Sequence, residues 1–196
     1  AAEQGTRALD ALRDGVQEAI AALGRGFLAH PANGVLKDQL KAGQLTVQGY
    51  YRELLRLVYQ LIFLLLAEER DLLLVPDAPA EARSRYLDYY SLRRLRGLAE
   101  ALRGGPHADN YRGLRLVLAM LREGYAPLGL PALGSFLFSA EATPHLDGAE
   151  LANAALLEAV RALAFTVEGG VRRPVDYRNL GSEELGSVYE SLLELH

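Results

Sequence analysis

Apolar residues recur every three or four positions from the start of the chain. Leu9, Leu12, Val16, Ile20 and Leu23 share one helical face, so the pattern predicts a helix over 6–24, with Gly24 as its stop. "HPANG" at 30–34 reads as a loop, and Asn33 is placed to cap a short helix over 34–42. Thr46 opens the strongest element, which runs to about Leu73. Tyr50, Tyr51, Leu54, Leu55, Leu57, Val58, Leu61, Ile62, Leu64, Leu65 and Leu66 make it apolar on nearly every face, as expected of the central helix of a bundle. "VPDAPA" at 75–80 ends it.

Helices are expected over 79–89, over 91–103 with Ser91 as N-cap, and over 109–123 with Leu114, Val117, Leu118 and Leu121 inward. "GGP" at 104–106 separates the last two. Residues 124–148 have little helical period, but Leu128, Leu130, Leu133, Phe136, Leu137 and Phe138 call for burial, which predicts a long ordered loop. A helix over 149–163 follows. "FTVEGGVRRPVDY" at 165–177 has the form of a small hairpin about Gly169-Gly170. A last helix starts with Ser182 as N-cap and Glu183 and Glu184 in its first turn, and carries Leu185, Val188, Tyr189, Leu192 and Leu193 on one side. The expected class is all-α: a multi-helix bundle of about seven helices with at most one small β-hairpin near 165–177. It divides into N-terminal helices (1–45), a central bundle (46–123), an ordered loop (124–148) and C-terminal helices (149–196).

Half of the 196 residues are hydrophobic, enough for a sizeable core. The longest uncharged apolar run, 57–67, is too short to span a bilayer, and no leader-like segment opens the chain, so a cytoplasmic protein without membrane contact is expected. The absence of cysteine removes thiolate chemistry. The chain begins with Ala1, and its one methionine is Met120. A well-capped amphipathic helix runs almost to the last residue. Both features lead us to expect a piece of a longer protein.

Net charge is −4, which does not favour a free-standing nucleic-acid binder. The balance is uneven, however. Residues 83–122 hold nine arginines against three acids, a local net of +6. Arg93, Arg94 and Arg96 form a stripe that suits either phosphate contact or an ordinary solvated face. Arg172 and Arg173 sit on the expected hairpin, suited either to a DNA groove or to water. The central tyrosines (Tyr50, Tyr51, Tyr59, Tyr86, Tyr89, Tyr90) fit a core with hydroxyls at the surface better than a base-stacking platform.

Catalytic motifs are missing. The residues two before Lys37 and Lys41 are Val35 and Gln39, so no PD-(D/E)xK motif exists. There is no glycine-rich phosphate loop and no GxSxG elbow. His30, His107, His145 and His196 have no metal-ligand spacing and read as exposed loop residues. "AEERD" at 67–71 is either a carboxylate pair for acid–base work, a solvated helix end or an Arg70–carboxylate tie. No catalytic residue, metal ligand or cofactor site is assigned to this chain.

Three stretches, "RLVYQLIFLLLAEERDLL" (56–73), "YLDYYSLRRLR" (86–96) and "VDYRNLGSEELGSVYESLLEL" (175–195), resemble the helical region that precedes the methyltransferase core in type IIG-like restriction–modification enzymes and BREX-type adenine-specific DNA methyltransferases. The first match rests on Leu65, Leu66, Ala67, Glu68, Arg70 and Leu73. The closing match rests on Leu185, Gly186, Ser187, Val188, Tyr189, Glu190, Leu192, Leu193 and Glu194. The resemblance implies a bacterial phage-defence parent that transfers methyl from S-adenosylmethionine to a flipped adenine, with or without a fused endonuclease. It implies that this chain is a non-catalytic connector: Arg93, Arg94, Arg96, Arg172 and Arg173 would touch DNA, and Leu185, Tyr189, Glu190 and Leu193 would meet the adjacent methyltransferase domain. The alternatives are a protein-interaction module of a defence complex without DNA contact, or a small enzyme using Glu68, Glu69 and a histidine.

Overall fold

A computed structural model describes residues 2–101 and 103–193. Glu194 and His196, both singled out in the sequence, lie outside these residues, as does position 102 of the expected 91–103 helix. The class is as expected: mainly α, with eight α-helices and one two-stranded hairpin among the described residues. The helices are α1 (Ala2–Ala29), α2 (Gly34–Ala42), α3 (Val47–Glu69), α4 (Ala80–Tyr89), α5 (Leu92–Ala101), α6 (Asp109–Glu123), α7 (Asn153–Ala164) and α8 (Ser182–Leu193). No helix among them is long and apolar enough to cross a membrane.

α3 is the central helix that its composition demands. Leu54, Leu55, Leu57, Val58, Leu61, Ile62, Leu64 and Leu65 are all buried, and α1, α5 and α7 pack around it. Thr46 caps it, with Oγ1 accepting the Gly49 N–H at 2.9 Å. It ends at Glu69, earlier than expected, in a turn where Asp71 takes a positive φ of 53°.

α1 runs past its expected stop at Gly24. The glycines there serve close packing, not termination. A Cβ at Gly26 would stand 2.5 Å from the Ala155 Cβ, and one at Gly15 would stand 2.6 Å from the Ala162 carbonyl oxygen. Bare backbone on α1 thus lets α7 approach along a seam that includes the buried Ala19, Ala22 and Ala159. Near Gly24, the Tyr50 hydroxyl donates to the Gly24 carbonyl at 2.8 Å.

Asn33 precedes α2 but does not cap it through its side chain. It is buried, and its amide donates to the carbonyls of Phe27 and Glu150 at 2.7 Å each, while its Oδ1 accepts the Glu150 N–H at 2.8 Å. This amide joins the end of α1 to the segment before α7. α7 itself starts at Asn153, four residues later than expected.

The 124–148 segment is ordered, with two short 3-10 turns at Ala126–Leu128 and Phe136–Phe138. Leu128, Leu130 and Phe138 are buried, and Leu133 and Leu137 pack partly buried on the core. Phe136 departs from expectation: it is 58% exposed, and the Arg56 guanidinium lies over its ring at 5.1 Å. The hairpin pairs β1 (Phe165–Glu168) with β2 (Val171–Pro174), in the register Phe165 to Pro174 and Val167 to Arg172. Gly169 and Gly170, at φ 56° and 79°, supply the two positive angles of a two-residue turn.

Ser182 is the first residue of α8, not its cap, and the Gly181 carbonyl accepts the Leu185 N–H. α8 turns Val188 and Leu192 into the core, with Leu185, Tyr189 and Leu193 half-buried beside them.

Candidate nucleic-acid interface

The arginine stripe sits on α5, and the position of α5 is set by an acid from another helix. Ser91 caps it as expected, its Oγ accepting the Arg94 N–H at 3.0 Å. The second cap comes from Glu68 at the end of α3. Its Oε2 accepts from the Tyr86 hydroxyl at 2.6 Å and the Leu92 N–H at 2.9 Å, and its Oε1 accepts the Arg93 N–H at 2.8 Å. A carboxylate at this end of a helix also complements the helix dipole. Burial pushes the Glu68 carboxyl above its usual range, against the pull of those three donors and of the Arg96 charge. The Tyr86 hydroxyl is held far above its usual range, by burial first and then by Glu68.

The three arginines of the stripe do not share one surface. Arg96 is paired, its Nη1 lying 2.7 Å from Glu69 Oε1. Arg93 is exposed and lines a cavity of about 210 Å³ with Arg96, Glu68 and Glu69. Arg94 faces the other way, into a cavity of about 320 Å³ lined by Arg85, Tyr89, Tyr90 and Asn110 among others. Its Nη1 stands 3.5 Å from Asn110 Oδ1. Arg172 and Arg173 are both exposed but adjacent on one strand, so they leave opposite faces of the hairpin. Arg172 lies over the Phe165 ring at 5.7 Å.

The +6 surplus of residues 83–122 is largely answered from elsewhere in the chain. Arg112 and Arg115 pair with Glu150, and Arg122 pairs with Asp147. Arg83 donates to the carbonyls of Val75 and Pro76, and Arg85 to that of Pro127. These arginines hold loops in place, a use the local charge count does not reveal.

The "AEERD" acids are engaged structurally. Glu68 caps α5 and Glu69 pairs with Arg96, while Arg70 reaches the backbone carbonyls of Arg178 and Leu180 instead of a carboxylate. Of the tyrosines, Tyr50 and Tyr86 are buried and Tyr51, Tyr59 and Tyr90 pack partly buried on the core, whereas Tyr89 is exposed; the hydroxyls of Tyr50, Tyr51 and Tyr59 end on the backbone carbonyls of Gly24, Leu192 and Leu185. His107 is exposed as expected, whereas His145 is half-buried against Glu53, with Nδ1 2.6 Å from Glu53 Oε2. His30 is also half-buried, its Nδ1 accepting the Ala32 N–H.

Of the candidate junction residues, Leu185 and Tyr189 meet α3. The Tyr59 hydroxyl donates to the Leu185 carbonyl at 2.9 Å, and the Tyr59 and Tyr189 rings meet edge to face at 4.9 Å. Tyr51 donates to the Leu192 carbonyl. Leu185, Tyr189 and Leu193 stay partly open, and Glu190 is exposed.

Two groupings escaped the sequence reading. Glu68 lies twenty-four positions from Leu92, and no local spacing links them. Arg161 stands alone in "NAALLEAVRALA", otherwise small and apolar apart from Asn153 and Glu158, and that isolation was the available signal. The fold brings it beside Arg103 and Arg172. Comparison with known proteins gives no match: no family model, no curated protein and no solved structure.

Proposed function

We propose that this chain is a non-catalytic helical connector module of a DNA restriction–modification or phage-defence protein, supporting an adjacent S-adenosylmethionine-dependent adenine methyltransferase and touching the DNA backbone. The reading rests first on the resemblance carried by the closing phrase at Leu185–Leu193. The observation that supports it is how α8 is seated. Val188 and Leu192 anchor the helix in the bundle, while Leu185, Tyr189 and Leu193 form a half-open apolar strip with Glu190 exposed at its side. An adjacent domain docking there would complete the burial of a helix already tied to α3 by the hydroxyls of Tyr51 and Tyr59. A scaffold role also agrees with the acids of α3. Glu68 and Glu69, the acids that general acid–base work would call on, hold α5 in place instead.

The test is the reading frame that encodes the chain. A glycine-rich cofactor loop followed by an Asn-Pro-Pro-Tyr-type motif, within about one domain length beyond His196, is the expected result. A frame without them removes the methyltransferase link. Methylation of DNA by the 196-residue chain alone would refute the non-catalytic role. Fluorescence anisotropy with a labelled duplex should show binding that weakens steeply with salt. Salt-indifferent capture of a protein, with no duplex binding, would favour the interaction-module alternative.

A further inference from the structure

The C-terminal end of α5, Arg103 beyond it, the last turn of α7 and strand β2 converge on a cavity of about 330 Å³. It is lined by Ala99, Glu100, Ala101, Arg103, Arg161 and Arg172. Three arginines, Arg103 from the segment after α5, Arg161 from α7 and Arg172 from β2, therefore line it beside one carboxylate, the exposed Glu100. Arg161 and Arg172 also line an adjoining cavity of about 300 Å³ that reaches α1. That cavity holds the acids Glu18 and Glu158, and Glu158 is already paired with Arg25 at 3.2 Å.

The fold sets these arginines in place. Arg161 Nε donates to the Ala99 carbonyl at 2.8 Å, which covers one of the α5 carbonyls that would otherwise repel an anion. Arg172 rests over the Phe165 ring. The like charges act on one another: Arg161 is held below its usual range by burial first, then by Arg172 and Arg103, with Glu158 only partly opposing them. A doubly charged oxyanion in the cavity would reverse that repulsion. The planar guanidinium fork matches phosphate oxygens two at a time, whereas a chloride ion would use little of that geometry.

We infer that Arg103, Arg161 and Arg172 form a phosphate-binding cleft. This deepens the DNA-backbone reading above, with which it shares only Arg172. The bound phosphate belongs either to a nucleic-acid backbone or to a free phosphoanion, and the experiment separates the two.

The probes are a fluorescent duplex followed by anisotropy, and pyrophosphate followed by titration calorimetry, both with the 196-residue chain. The perturbation is the double variant Arg103→Glu/Arg172→Glu. Both side chains are exposed, and circular dichroism confirms that the variant is folded. Arg52→Glu is the control: Arg52 is exposed on α3 and lines neither cavity. The double variant should bind duplex at least about ten-fold more weakly, with a log–log salt slope shallower by about two, while Arg52→Glu should leave both nearly unchanged. Pyrophosphate binding without duplex binding, abolished by the double variant, supports the cleft and removes the DNA reading. Duplex binding that survives the double variant overturns the cleft and leaves the DNA reading standing. An equal loss in Arg52→Glu, or no binding of either probe, also overturns the cleft.

Discussion

Replacing Glu68 by alanine tests whether α5 is held by a carboxylate from α3. Three donors lose their acceptor at once. The Tyr86 hydroxyl belongs to a residue with no exposed surface, so an orphaned donor there costs about 1–3 kcal/mol. The Leu92 and Arg93 amides lose a cap, worth about 1 kcal/mol each where no other acceptor replaces it. Relief from burying a charge offsets part of this, in keeping with the raised Glu68 carboxyl. The net expectation is about 2–4 kcal/mol. The assay is urea unfolding at neutral pH, read as a lower midpoint at unchanged slope. Tyr86→Phe closes the cycle. In the wild-type background it removes one of three donors, at about 1 kcal/mol. In the Glu68→Ala background it removes the orphan and should be neutral or stabilising. The two changes should therefore fall short of additivity by about 1–2 kcal/mol. Strict additivity, or a Glu68→Ala cost well below 1 kcal/mol, would refute the cap and with it the account of how the α5 arginines are positioned.

Because the folded Glu68 carboxyl titrates above its ordinary value of 4.5, its contribution favours the fold below that pH and is lost as pH rises through the raised value. Glu68→Gln should flatten that part of the stability–pH profile, and an unchanged slope in urea midpoints between pH 4 and 8 would contradict the sign. Gly26→Val sets a branched side chain against Ala155 and should cost at least about 1–3 kcal/mol in thermal or urea unfolding, whereas Gly5→Ala, with open space around it, should cost nothing measurable. Leu192→Ala should cost about 2–5 kcal/mol if α8 is part of the bundle, and a change under 0.5 kcal/mol would show that α8 is not packed as described. Tyr59→Phe should cost about 1 kcal/mol through its bond to the Leu185 carbonyl, checked by the same unfolding curves.

What could be read from the sequence, and what could not, is clearest on α3. Its apolar excess announced a central helix, and the helix is central. The same excess hid its polar residues, which carry the tertiary instructions. Glu53, Arg56 and Gln60 recur at spacings of three and four, so they share a face. All three hold the 124–148 segment: Glu53 takes the His145 amide and faces its ring, Arg56 donates to the Ala142 carbonyl, and Gln60 donates to the Leu137 carbonyl. A loop rich in glycine and proline stays ordered because its backbone groups are met one by one from a rigid rod. Tyr51, Tyr59 and Arg70 do the same for the C-terminal segment, through the carbonyls of Leu192, Leu185, Arg178 and Leu180.

Periodicity reports which residues avoid water. It says nothing about which backbone carbonyl, a hundred positions away, a buried polar side chain will meet. The arginines show the same limit. A net of +6 over 83–122 suited either an anion-facing surface or an ordinary solvated face, yet most of those guanidiniums are matched to Glu69, Asp147, Glu150 and loop carbonyls. Arg103, Arg161 and Arg172 instead come together at one cavity, from the segment after α5, the last turn of α7 and β2, although they stand far apart in the chain. Local charge density in the chain and charge density on the folded surface are different quantities, and an anionic partner responds only to the second.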